Sequence, residues 1–139
     1  MVDKDILQKK AQYIEQTLAK LRILREKTSV EFLGSFQNVD AAKHNLQVAI
    51  EAIIDICNHI VARERYGLPN SSVESIDLLF NHGILDEELT KRLRSMVKFR
   101  NRIVHLYQEV DDQQVYRILQ EDLKDFEAFL GVINRKFLI

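Results

Sequence analysis

Four glycines and one proline in 139 residues leave this chain few places to turn. Sheet proteins need many tight turns and draw on Gly, Asn and Pro to make them. A chain this poor in both is expected to be all-α, an up-and-down bundle of about five helices. Its length is that of one typical domain, so residues 1–139 are expected to form a single domain. Hydrophobic residues at 46% and charged residues at 29% give an ordinary globular balance, which disfavours disorder.

Periodicity and caps divide the chain. Asp3 can cap a first helix running to about Thr28, on which Leu7, Ala11, Ile14, Leu18 and Leu21 recur at spacings of three and four. Ser29 and Gly34 bracket a short apolar connector containing Val30, Phe32, Leu33 and Phe36. A second helix is expected from about Val39 to Arg65. From Leu46 to Ala62 it is apolar on almost every side, so it is either central to the bundle or shared with another subunit. Tyr66-Gly67-Leu68-Pro69-Asn70 stops it. Ser71 or Ser72 caps a third helix to about His82, Asp86 opens a fourth to about Tyr107 or Gln108, and Asp111 opens a fifth. On the fifth, Val115, Leu119, Leu123, Phe126, Leu130, Ile133 and Phe137 form one stripe.

Several function classes drop out. The net charge of −1 supplies no global field toward nucleic acid or anionic lipid, and no DNA partner is expected. The lone cysteine, Cys57, sits among isoleucines and is expected to be a small buried hydrophobe. His44, His59, His82 and His105 show no paired ligand spacing, and Asp111 and Asp112 read as a helix cap, so no metal or cofactor is expected. The polar start MVDKDILQKK lacks a signal-peptide core, and no segment approaches the roughly 20 uncharged apolar residues of a membrane span. A cytoplasmic location without membrane contact is expected.

The informative stretch is Lys91 to Tyr107, KRLRSMVKFRNRIVHLY. It carries six cations (Lys91, Arg92, Arg94, Lys98, Arg100, Arg102) and no carboxylate. A local basic stripe on a near-neutral protein is what a phosphate-bearing partner requires. A solvated polar face is the plainer reading of the charge alone. At about 100° per residue, Leu89, Leu93, Met96, Val97, Ile103 and Val104 form the apolar side of this helix, with Arg100 in its middle and Tyr107 directly above. His105 shares the other face with Lys98, Asn101 and Arg102. Burying an arginine there is costly unless it is paired or lines a wet cleft.

Each residue also has a bland reading. Arg100 can salt-bridge a core carboxylate, Asp55 and Glu51 being available. His105 can be a surface histidine, and Tyr107 a bundle tyrosine with its hydroxyl at the rim.

Taken together, FRNRIVHLY at residues 99–107 resembles the R-x4-H-x-Y signature of HEPN domains, and within them the HepT toxins found with MntA-type nucleotidyltransferase antitoxins. IEAIIDICNHIV (50–61), YGLPNSSVESIDLLFNHGIL (66–85) and VDDQQVYRIL (110–119) resemble the same branch in the same order, so the likeness covers nearly the whole chain. The resemblance implies a homodimeric helical bundle whose two motifs face a shared cleft. It implies a toxin of a type VII-like toxin–antitoxin pair, a metal-independent endoribonuclease acting on tRNA or mRNA. Arg100 and His105 would be its catalytic pair, with Asn101 assisting. Lys98, Arg102 and Arg94 would contact RNA. Tyr107 would receive AMP from the antitoxin and so silence the toxin.

The chemistry is consistent. Metal-free cleavage uses the 2′-hydroxyl as nucleophile, and His105 suits the general base or the acid for the leaving oxygen. Arginine suits the extra negative charge on pentacoordinate phosphorus. Yet on an ideal helix Arg100 and His105 point about 140° apart. Either the helix is distorted near Asn101, or one chain's arginine works with the other chain's histidine. The alternatives to an enzyme are a non-catalytic HEPN subunit that partners a minimal nucleotidyltransferase, and a bundle that binds nucleotide without cleaving anything.

Overall fold

Short polar side chains start most of the helices where the sequence places them. The structure is a computed structural model describing residues 1–106 (Leu106 by its backbone alone) and 109–139. Helix α1 (Lys4–Arg25) begins where the Asp3 carboxylate accepts from the N–H groups of Asp5 and Ile6. It ends before Thr28, because Thr28 and Glu31 form a capping box that starts a separate short helix, α2 (Ser29–Leu33). The expected connector is therefore a helix. Helix α3 (Phe36–Arg63) starts three residues before Val39 and ends in a turn where Arg65 (φ +58°) and Gly67 (φ +141°) adopt positive φ. Ser71 caps α4 (Ser72–Asn81) by accepting from Glu74 N–H, and Asp86 accepts from Leu89 N–H at the start of α5 (Glu87–Leu106).

The expected fifth helix is two, α6 (Asp112–Glu121) and α7 (Leu123–Ile133), broken at Asp122 and followed by a π-helical turn at Asn134–Leu138. The apolar stripe runs through the break without a gap, so periodicity alone could not reveal it. Packing explains it: α6 lies against α1, α2 and α3, whereas α7 lies against α5 and α1. One straight rod could not serve both sets of neighbours. The described residues thus form seven α-helices and no strand.

Helix α3 occupies the centre. Its buried residues, among them Leu46, Ala49, Ile50, Ile53, Ile56, Cys57 and Ile60, point to several sides and meet α1, α2, α4, α5 and α6. Of the two readings of its all-round apolarity, the central one holds within a single chain, and no second subunit is needed to explain it. Although Glu51 and Asp55 interrupt its apolar run, α3 is long and apolar enough to cross a membrane by length and composition. Since 56% of its apolar window is buried among the other helices, core packing accounts for that composition. Burial pushes the Cys57 thiol up to about 12, so it stays protonated, as a buried apolar cysteine should.

One buried acid sits uneasily in this core. Asp125 is 6% exposed and lies 3.7 Å from Arg92, beside Asp122, at a cavity of about 230 Å³ between α3, α5, α6 and α7. Burial raises the Asp125 carboxyl above the usual range despite the Arg92 charge, which pulls it down. A folded-state value above the unfolded one means the stabilisation is complete below the unfolded pKa, about 3.9. It is lost as pH rises through the raised value. Asp125→Asn mimics the protonated form. We expect it to raise the melting midpoint at pH 7.5 by ~1–3 °C, and the gain to vanish toward pH 3.5 in a calorimetric series.

Candidate functional site

The site is built from α5 and the face of α3 it packs on. Leu89, Leu93, Met96, Val97, Phe99 and Ile103 of α5 are buried. Two positions differ from the sequence expectation. Phe99 joins the core because α5 is covered on more than one side, by α3, α4 and α7. Val104 is 42% exposed and lines a shallow groove with Ile103 and with Asp40, Lys43, His44 and Gln47 of α3.

Arg100 lies on the inner side of α5, its side chain 18% exposed, with Nε 4.0 Å from Glu51 Oε2 on α3. That is the outer limit of an ion pair and too long for a hydrogen bond. Arg100 Nε is the one buried side-chain nitrogen or oxygen among the described residues that lacks a hydrogen-bond partner. Buried polar groups are almost always satisfied, so such an atom calls for a reason. The plainer reading, a salt bridge to a core carboxylate, is met only in this loose form. Asp55, the other carboxylate considered, is instead bound by Lys10 at 2.9 Å.

The other arginines of α5 make the contrast plain. Arg92 donates to Glu88 at 2.9 Å, Arg94 donates from Nε to Asp77 at 2.6 Å, and Arg102 donates to Gln114 at 3.1 Å. Lys91 sits 3.6 Å from Glu87. The basic stripe is therefore largely compensated by carboxylates from its own first turn and from α4. Of the stripe's six cations, only Lys98 is exposed with no ion pair among the described residues. Arg94 is also six residues, about 9 Å along the axis, from Arg100.

His105 and Asn101 are both exposed, on the outward face with Lys98. Helix α5 is α-helical without interruption from Glu87 to Leu106, so no distortion near Asn101 turns His105 toward Arg100. The structure brings Asn101, His105 and Lys98 to one face and keeps Arg100 on another. Tyr107 lies outside the described residues. Sequence reasoning did not find Gln47, which donates to Glu51 Oε2 at 3.4 Å, or Gln114. Gln47 had a usable signal, since it precedes Glu51 by one helical turn. Among the described residues no group of three His, Cys, Asp or Glu side chains is placed to hold a metal ion.

Comparison with known proteins gives the chain's family. The family model described as "Ribonuclease HepT-like" matches residues 14–133. The chain is 39% identical over 104 residues to the mRNA nuclease HepT of Shewanella oneidensis, covering 75% of this chain and 78% of that protein. It is 27% identical over 129 residues to the tRNA nuclease HepT of Aphanizomenon flos-aquae, covering 93% and 88%. Among solved structures, the tri-AMPylated HEPN toxin of S. oneidensis in complex with its MNT antitoxin superimposes with a TM-score of 0.89 at 35% identity. That match covers 95% of this chain and 98% of that one.

An arginine kept on an apolar face with an unsatisfied buried nitrogen is a cost to the fold. Arg100→Met keeps the apolar stem and removes the buried charge, while Glu51, 40% exposed, stays solvated. A thermal melt should show the variant more stable by ~1–3 °C. A lower midpoint would mean that Arg100 serves the fold.

Proposed function

The chain belongs to the HepT-like ribonucleases, and from that membership we propose that it is the toxin of a toxin–antitoxin pair, an endoribonuclease that needs no metal ion. The observation that carries the reading is Arg100. Of the four arginines on α5 it alone makes no hydrogen bond among the described residues, although its side chain is more enclosed than those of Arg92 and Arg94. A guanidinium with donors in hand is suited to a phosphate that arrives with the substrate.

In this reading His105 takes the proton from a ribose 2′-hydroxyl. The oxygen attacks the adjacent phosphorus, and the bond to the 5′-oxygen of the next nucleotide breaks. The fragments carry a 2′,3′-cyclic phosphate and a 5′-hydroxyl, the leaving oxygen taking its proton from water while His105 returns the proton it accepted to solvent. Arg100 stabilises the extra charge on the pentacoordinate phosphorus. Asn101, one turn before His105 on the same face, orients the ring or donates to phosphate. Lys98 and Arg102 flank that face as contacts for the RNA backbone, with Arg94 more distant and tied to Asp77.

The divergence of Arg100 and His105 on an unbroken helix makes the site incomplete within one chain. A homodimer that sets one chain's Arg100 against the other's His105 completes it. The partner that silences this toxin would be a nucleotidyltransferase antitoxin, transferring AMP to Tyr107. The solved complexes of HEPN toxin with MNT antitoxin support this, one of those toxins being AMPylated. The same reading places the protein in the cytoplasm with its RNA substrate, as a single HEPN domain.

Mixing inactive subunits tests the dimeric site. Arg100→Ala and His105→Ala homodimers should each be inactive. Unfolded and refolded together in equal amounts, half of the dimers are mixed, and each of those holds one intact site out of two. Cleavage of a fluorescent RNA should return to about a quarter of the parental rate. A mixture as inactive as its parts would contradict a site shared between chains.

A further inference from the structure

We infer that Glu51 of α3, steadied by Gln47, is a positioning residue that seats Arg100 for phosphate binding. This rests on the ribonuclease reading and extends it from α5 to α3. The difficulty it answers is physical. A half-buried guanidinium without a countercharge is costly enough to swing its flexible side chain toward water. Glu51 supplies the countercharge from the neighbouring helix, 4.0 Å from Arg100 Nε.

The length of that contact matters. The carboxylates that hold Arg92 and Arg94 accept hydrogen bonds and so occupy guanidinium donors. Glu51 stands farther off, attracting the charge while leaving the donors open. The same oxygen, Oε2, accepts from Gln47 Nε2 at 3.4 Å, one turn earlier on α3. The stretch of α3 that carries Glu51 is flanked by buried Ile50, Ala52, Ile53 and Ile54, which gives the carboxylate a rigid base. Asp55, the other nearby acid, is held by Lys10 and does not compete. An incoming phosphate can then be gripped by the fork of a side chain already facing it, with no reorientation during the reaction.

The test compares Glu51→Gln, Glu51→Ala and Glu51→Asp with the parent. Three quantities are read: kcat and KM on a short RNA, the melting midpoint, and the Arg100 Nε–Hε NMR signal, assigned by its loss in Arg100→Met. A positioning role predicts that Glu51→Gln lowers kcat by ~10–100-fold and changes KM by less than about threefold, with the midpoint unchanged or raised. Glu51→Asp, which keeps the charge, should recover part of the loss, and the Arg100 signal should shift and broaden in Glu51→Gln. Parental kcat in Glu51→Gln, or a loss of kcat that merely follows a loss of stability, would overturn the inference. If the parent itself leaves RNA uncut, the ribonuclease reading fails, and the NMR signal still decides this one. A signal unmoved by Glu51→Gln overturns the positioning role, and a shifted, broadened one upholds it.

Discussion

The packing of α5 on α3 sets the direction of every side chain in the motif. Helix α3 is buried on several sides, so it offers α5 one apolar face and very little freedom to rotate. Once Leu93, Val97 and Ile103 are seated there, the 100° step of the helix dictates the rest. Arg100 must lie inward, near Glu51, and His105 must lie outward with Asn101 and Lys98. Two residues only five apart in sequence are thereby committed to different environments, one half-buried and one solvated. That separation is the physical basis for proposing a site shared between chains.

Charge compensation divides the basic helix in the same way. Six cations without an intervening carboxylate suggest a broad phosphate-binding stripe when read along the sequence. In three dimensions the carboxylates come from elsewhere: Glu87 and Glu88 in the first turn of α5, Asp77 on α4 and Asp125 on α7. Structural arginines are thus distinguished from a poised one by their partners and not by their position in a motif. Arg100 is more enclosed than Arg92 or Arg94 and, among the described residues, bonded less, a combination that serves the fold poorly and a phosphate ligand well.

What was legible in the sequence was mostly local. Caps at Asp3, Ser71, Asp86 and Asp111 rest on short-range hydrogen bonds and could be read one by one. The inward placement of Arg100 followed from helical spacing alone, and Glu51 was among the carboxylates within reach. What escaped depended on tertiary contacts or on an overlooked signature. Thr28 and Glu31 carry a capping box, but the apolar residues around Phe32 made α2 look like a connector. The break at Asp122 is invisible in a stripe that continues through it. The environments of Phe99 and Val104 depend on how many helices cover α5 at each level, which periodicity does not report. Nor could the sequence choose between a central and a shared α3, because an all-apolar helix fits both until its neighbours are known.

The most direct measurement is cleavage of total RNA in EDTA by protein whose intact mass excludes AMP on Tyr107, alongside His105→Ala of equal melting midpoint. The account predicts cleavage by the parent and its loss in the variant, since the proton transfer it assigns has no other candidate on that face of α5. Equal cleavage by both, or intact RNA with a folded, unmodified parent, would contradict it.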